Sequence, residues 1–230
     1  MKFIERIPEP ELMDDPEQAR AYAGADFSEP HQAFIERFAQ CFPHHCPQRV
    51  LDLGCGAADI TIRFAHAYPD CELTGMDGAP AMLALAREAI THVDLDHRVH
   101  LRAVRLPDTT LAQHVFDTVI SNSLLHHLAD PQVLWRTVAD CAEPGAAVFI
   151  MDLRRPDTRE QAGLLVQEYS GNEPEVLRRD FFNSLLAAYR PEEIAVQLAR
   201  VNLSGLQVEA VGDRHVVVHG RLQKLSQKRN

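Results

Sequence analysis

The sequence predicts an α/β fold, a mostly parallel sheet with helices on both faces and an antiparallel last strand. Three observations predict it. From residue 49 onward, short β-rich runs alternate with helical patterns, the arrangement that builds parallel strands joined by crossover helices. The first run, in RVLDLGCGAADI over residues 49–60, ends in two glycines and then turns helical. The last two runs are separated by Gly-Asp-Arg, a hairpin spacing that reverses the chain.

Taken in order, residues 1–48 are acidic and proline-punctuated, and Pro30–Phe42 carries Phe34, Phe38 and Phe42 at i, i+4, i+8, the pattern of an amphipathic helix. Strands are expected at Arg49–Leu53, Cys71–Met76, Val99–Val104, Asp117–Ser121 and Ala146–Asp152. Helices are expected between them at Asp59–Tyr68, Pro80–Ile90 and Pro131–Cys141, each with apolar residues at helical spacing. Over Arg154–Tyr189 a long polar, helix-like segment with paired arginines replaces a short connection. A helix near Pro191–Val201 and two closing runs, Leu206–Val211 and His215–Leu222, complete seven strands. The expected division is an N-terminal helical lid (1–48), a ligand-binding core (49–153), a helical cap inserted over the pocket (154–190) and a closing helix with the final hairpin (191–230).

The composition narrows the function. The 230 residues are 46% hydrophobic and 24% charged, with a formal charge of -10, which argues against a nucleic-acid surface. Only Lys224–Arg229 is basic, and it reads as a solvated tail. No apolar run approaches the ~20 residues of a membrane span, and MKFIERIPEPELMDD lacks the apolar core of a signal peptide. Five scattered cysteines without a CxxC read as reduced thiols of a cytoplasmic protein.

The glycine turn has acidic company. Gly54 and Gly56 let backbone N–H groups approach a ligand, at the strand ends where open α/β sheets bind their ligands. Asp52, two residues before Gly54, gains little beside a pyrophosphate but favours an ammonium or sulfonium. Asp77 closes the second strand in ELTGMD, where a carboxylate accepts ribose hydroxyls; the competing reading is a helix N-cap. GCGAAD lacks the third glycine of a dinucleotide fingerprint, so a nicotinamide-dependent oxidoreductase is disfavoured. The best fit is an adenosyl ligand with a cationic amino-acid tail.

At this point the chain resembles the class I S-adenosylmethionine-dependent methyltransferases. VLDLGCGAADIT looks like their first motif and TGMDGAPAMLALAR like their second, while FDTVISNSLLHHLADP and PGAAVFIMDLRRP look like their fourth and fifth strands. The resemblance implies a Rossmann-like seven-stranded sheet with S-adenosyl-L-methionine as donor and S-adenosyl-L-homocysteine as product. It further implies that Asp52, Gly54 and Gly56 line the methionine portion, Asp77 holds the ribose, and Met76 or Gly78 flanks the adenine. Ser121 and Asn122 would contact the donor, and the Tyr22 hydroxyl would lie near the sulfonium. Two departures stand out. Ala58 replaces a common glycine, a mild change, and LRAVRLPD lacks the usual acidic adenine partner, leaving Val104 or a backbone contact at Arg105 in that role.

Methyl transfer needs an in-line acceptor shielded from water, and a base only if the acceptor must lose a proton. His126 and His127 are candidates for a base or a substrate partner, against a purely structural role in their loop. Without a third donor at helical spacing they predict no metal site. Asp152 and Arg154 follow strand five, over the expected acceptor pocket. Arg154 and Arg155, with Arg178 and Arg179, suggest an acidic small-molecule acceptor, against ordinary surface ion pairing. The expected function is methyl transfer to a small molecule, without nucleic-acid or membrane partners and with a homodimer as the conceivable assembly. The rivals are a non-methylating reaction at the same donor site and a non-catalytic donor-binding or regulatory subunit.

Overall fold

A computed structural model describes residues 3–9, 14, 16–108, 110–111, 113–203 and 205–223; the basic tail Lys224–Arg229 lies outside them. The chain runs α1 (Pro16–Gly24), α2 (Ser28–Cys41), β1 (Arg49–Leu53), α3 (Asp59–Ala67), β2 (Glu72–Asp77), α4 (Pro80–His92), β3 (Val99–Ala103) and β4 (Phe116–Asn122). A 3₁₀ turn at Leu125–His127 leads to α5 (Gln132–Cys141), β5 (Ala142–Leu153), α6 (Arg159–Ser170), α7 (Glu175–Ala187), α8 (Pro191–Arg200), β6 (Gln207–Val211) and β7 (His215–Arg221).

The seven strands form one sheet in the order β3-β2-β1-β4-β5-β7-β6. Pairs from β3 through β5 are parallel, and β7 runs antiparallel to both β5 and β6, as the Gly-Asp-Arg spacing predicts. Alternation along the strands divides two cores. Leu51, Leu53, Val148, Ile150, Val216 and Val218 face α5 and α8 around Trp135. Val50, Ala147, Phe149, Met151 and Val217 face α2, α3 and α4 around Phe34, Phe38 and Phe64. Phe34 and Phe38 meet Phe149 edge-on, at 4.9 and 5.8 Å between ring centres, so the i, i+4 phenylalanine pattern of α2 is its buried stripe. On the opposite face, the Trp135 indole N–H donates to buried Gln197 at 2.9 Å, joining α5 to α8 with the indole's one donor satisfied.

The polar segment after β5 folds as two helices. A capping box at Thr158 starts α6. Leu165, Leu185 and Leu186 then pack with Leu153 in a small cluster of their own, which Ile4 also joins. The N-terminal region holds a second helix, α1, whose Ala19 and Tyr22 rest on Ala79 and Met82 at the start of α4. With so few apolar positions α1 carries no pattern readable in the sequence. Among the described residues no helix is long and apolar enough to cross a membrane.

Candidate active site

Between β1 and β4 the strand order reverses, and such a switch point opens a crevice at the carboxyl ends of the strands. A cavity of about 450 Å³ lies there, within the ~300–1,000 Å³ range of small-molecule sites. One end is floored by the glycine turn and the β2 and β3 termini; the other is roofed by α6, α7 and the β6–β7 turn.

The floor is a backbone construction. Gly54 and Gly56 have φ of +73° and +53°, a left-handed conformation that side chains rarely adopt. A Cβ on Gly54 would also stand 3.0 Å from Leu124. The Asp77 carboxylate accepts the Gly56 N–H at 2.9 Å and the Ala79 N–H at 2.8 Å, tying the turn to the end of β2. Burial raises its pKa against the lowering effect of those N–H groups. Both readings of Asp77 are therefore visible, because it braces the chain entering α4 and also lines the cavity. Met76, Gly78, Val104, Arg105, Asn122 and Tyr22 line this cavity as well. Burial, reinforced by the Asp152 and Asp59 carboxylates, pushes the Tyr22 hydroxyl up to about 12, so it stays protonated at neutral pH.

Two residues expected in contact with the ligand lie behind the wall instead. Asp52 is 1% exposed and accepts the Thr61 hydroxyl at 2.6 Å; burial pushes its carboxyl up to about 7. The Ser121 hydroxyl donates to the Leu53 carbonyl at 2.6 Å, fastening β4 to the last residue of β1. Neither lines the cavity: Asp52 turns to the face packed by α3, and Ser121, one position past Ile120, the register partner of Asp52, turns to the opposite packed face. Ala58 is also more than a mild change. It caps α3 at φ +70°, a conformation that glycine takes freely and a buried alanine takes at a cost.

The roofed end centres on the 3₁₀ turn. His126 and His127 line the cavity. Asp152, 2% exposed, spreads its two oxygens between the Leu125 N–H (2.7 Å) and the His126 Nδ1 (2.5 Å). Burial opposes protonation of His126, yet Asp152 and Glu9 outweigh it and raise its pKa. Asp152 is thus a support for His126 rather than a cavity-lining group. Glu9 reaches the same place from the N-terminal segment, with Oε1 3.4 Å from His126 Nε2 and 3.3 Å from His127 Nδ1. A third donor thus stands beside the histidines, though not at the helical spacing considered in the sequence. Spacing along the chain could not show it, because Glu9 is brought in by tertiary contacts.

Those contacts come from a strap. Ile4 and Ile7 donate backbone N–H groups to Asp157 and Leu186. Arg6 donates to the carbonyls of Ala187 (2.5 Å), His126 (2.8 Å) and Leu128 (3.2 Å) and stacks on the Tyr189 ring at 4.2 Å. A second tie closes the roof, where the Arg214 guanidinium lies over the Tyr169 ring and the Tyr169 hydroxyl donates to Asp213 at 2.7 Å. His215, beside it in the cavity wall, is lowered to about 4 by burial and by Arg214 and is neutral.

The paired arginines point elsewhere. Arg154 donates to the Asp213 carbonyl and edges a separate shallow depression. Arg155 is buried against the Ala188 carbonyl and Glu193. On α7 the cavity face is Leu177, Asp180, Phe181 and Ser184, not Arg178 or Arg179. The expectation of Arg154 over the acceptor pocket is therefore corrected, and with it the argument for an acidic acceptor. Arg6, Glu9, Ser184, Arg214 and His215 were absent from the sequence reading, since none belongs to a local motif.

A model described as a methyltransferase domain matches residues 51–148, the span from β1 into β5 that carries the glycine turn, Asp77 and the histidine turn. Over that span the chain is similar to methyltransferase domains. It is 30% identical over 124 residues to a ubiquinone biosynthesis O-methyltransferase of Xanthomonas euvesicatoria, covering 53% of this chain and 49% of that one. With 27-O-demethylrifamycin SV methyltransferase of Amycolatopsis mediterranei it shares 26% identity over 190 residues, 82% of this chain and 65% of the relative. The chain spans less than half the length of several curated relatives it matches, 36%, 28% and 49% in three of them. A crystal structure of a SAM-dependent methyltransferase from Aquifex aeolicus superposes with a TM-score of 0.64 at 17% identity, over 90% of this chain and 98% of that one.

Proposed function

We propose that this protein binds S-adenosyl-L-methionine along the glycine turn and transfers its methyl group to a small molecule held under α6 and α7, releasing S-adenosyl-L-homocysteine. The observation that carries the reading is the Asp77 carboxylate, fixed by two backbone N–H groups on the cavity wall and aimed where a ribose presents two hydroxyls. Gly54 and Gly56 leave room for the methionine portion, and Met76, Gly78 and Val104 frame the adenine with Arg105 at its edge. Asn122 and Tyr22 flank the path from donor to acceptor. Asp52 acts on the donor through the turn it supports, from behind. On this reading residues 1–48 and 154–190 are a lid and a cap on a core of 49–153 and 191–230.

The roof favours an acceptor with an apolar body and a polar, ionisable end. Leu128, Leu153, Leu177 and Phe181 line it beside His126, His127 and Ser184. Relatives named for ubiquinone biosynthesis and for rifamycin SV support that reading, and one named for trans-aconitate stands beside them. In mechanism, the sulfonium carbon–sulfur bond breaks as the acceptor bond forms, and the cavity supplies alignment and exclusion of water.

Calorimetric titration with S-adenosylmethionine and S-adenosylhomocysteine tests the donor site. Release of S-adenosylhomocysteine with a panel of hydroxylated aromatic acceptors tests transfer. Binding of both adenosyl ligands with acceptor-dependent release is the expected result; binding without release by any acceptor would favour the regulatory reading, and no binding would overturn both.

A further inference from the structure

Glu9, His126 and His127 carry chemistry that donor binding leaves unused. Their donor atoms lie within 4.8 Å of one another, although Glu9 stands more than a hundred residues from the histidines in the chain. Two of the three are held in place. The Ser184 hydroxyl donates to the Glu9 carboxylate, 3.0 Å from Oε1 and 3.3 Å from Oε2, and the Arg6 strap fixes the backbone on both sides of the gap. Asp152 takes the Nδ1–H of His126 at 2.5 Å. Nε2 then faces a carboxylate oxygen at 3.4 Å, and with a neutral ring the two opposed lone pairs call for a proton or a metal ion between them.

We propose that Glu9, His126 and His127 bind a divalent transition-metal ion, zinc being the best fit, with an open coordination position facing the acceptor end of the cavity. Three observations carry it. First, a tetrahedral zinc with bonds of ~2.0–2.1 Å separates its ligand atoms by ~3.3–3.4 Å, and Glu9 Oε1 stands 3.4 Å from His126 Nε2 and 3.3 Å from His127 Nδ1. Second, two imidazoles and one carboxylate are the donor set of catalytic zinc sites that keep a fourth position open. Imidazole nitrogen selects zinc, iron, nickel or copper over magnesium and calcium. Third, the outer contacts match those of such a site, with a carboxylate orienting the ligating histidine and a hydroxyl orienting the ligating carboxylate. Both histidines and Ser184 line the cavity, so the open position faces the acceptor.

The inference rests on the methyltransferase reading for its use. An acceptor hydroxyl or enol that fills the fourth position loses its proton to water more readily on the metal. The resulting oxygen anion attacks the donor methyl, forming the oxygen–carbon bond. The carbon–sulfur bond breaks with its electron pair staying on sulfur, and the neutral thioether leaves. The acceptor class is therefore a molecule with an ionisable oxygen, such as a phenol or an enol.

The test is metal uptake by the full chain after treatment with a chelator. Zinc is titrated by calorimetry, and cobalt(II) is added in parallel for the intense visible bands of tetrahedral coordination. About one equivalent of zinc should bind, with magnesium far weaker. Glu9→Gln and His127→Gln should each weaken zinc by at least about 10- to 100-fold, the range seen even for outer-shell changes, and should abolish the cobalt bands. S-adenosylhomocysteine titration of each variant reports folding and the donor site separately. Wild-type protein that binds S-adenosylhomocysteine but takes up neither zinc nor cobalt would overturn the proposal, leaving His126 as an imidazolium clamped between two carboxylates. Equal zinc affinity in wild type and both variants would overturn it as well. Metal uptake without adenosyl binding would sustain the site and sink the methyl-transfer reading instead.

Discussion

The two ends of the cavity are built by different means. At the glycine turn, residues of one local motif do the work: the Gly56 N–H donates to Asp77 and the Gly54 N–H to the Met76 carbonyl, and the strand ends beneath them are locked by parallel pairing. At the histidine turn, the contacts join residues more than a hundred positions apart, from Arg6 to His126 and Ala187 and from Ser184 to Glu9. On the proposed function, the paired sheet holds the donor end, while the strap and two helices shape the acceptor end.

If the division is real, damage at one end should stay there. The largest effect belongs to Asp77→Ala, which removes the carboxylate proposed to hold two ribose hydroxyls. Charge-assisted hydrogen bonds are worth about 1.5–3 kcal/mol each, so adenosyl affinity should fall about 100-fold or more by calorimetry. Arg6→Ala comes next. It takes away three carbonyl partners and a stacked ring, a loss of about 2 kcal/mol, or about 4–8 °C in Tm for a chain of this size. Acceptor KM should rise while the dissociation constant for S-adenosylhomocysteine stays put. Equal damage to both ligands would break the comparison and make the strap part of one cooperative unit.

The same division explains how much could be read from the sequence. β1, β2 and the hairpin were legible because short apolar, β-rich runs bounded by turn residues are local signals. Gly54, Gly56 and Asp77 were legible because close backbone approach demands particular residues at fixed spacing. Asp52 and Ser121 were assigned to the right neighbourhood but the wrong side of it, since motif position does not reveal which way a side chain points once strands pair. Arg154 was misplaced for a similar reason: beyond the end of β5, where it pairs in an isolated bridge with Tyr189, no alternation rule governs direction. Glu9 and Arg6 were invisible, because nothing local distinguishes IPEP or FIER from an exposed tail.

Asp52 offers a pH test confined to the donor end. Its carboxyl titrates from an ordinary 3.8 when unfolded and about 7 when folded. Below about pH 4 it is neutral in both states and the neutral form's preference for the fold is fully present. Between those values the unfolded chain ionises while the folded one does not, so stability falls as pH rises, and above 7 the loss is complete. Asp52→Asn keeps an acceptor for the Thr61 hydroxyl and has no proton to lose. The variant should therefore gain on wild type by about 1–2 kcal/mol between pH 5 and pH 8 in denaturant titrations, after allowance for relaxation around the carboxylate. A difference independent of pH would mean that Asp52 ionises as easily in the fold as outside it, and that the wall behind the turn is wet.

The smallest effect tests the turn's geometry itself. Ala58 is buried and sits at φ +70° as the cap of α3, accepting the Ile62 N–H while its own N–H donates to Cys55. Ala58→Gly relieves the left-handed strain, worth about 1 kcal/mol, but loosens the unfolded chain and empties a methyl-sized space in the core around Phe64. The terms oppose each other, so the net change should lie within about 1 kcal/mol of zero, with relief ahead because a left-handed alanine is incompatible rather than merely unfavourable. A gain in Tm with unchanged adenosyl affinity would show that the turn is held in shape by Gly54, Gly56 and Asp77 and tolerates strain at its far end. A gain in Tm with weaker adenosyl binding would mean that the strain itself presents the turn to the donor, and the donor end would then depend on side-chain packing as the acceptor end does.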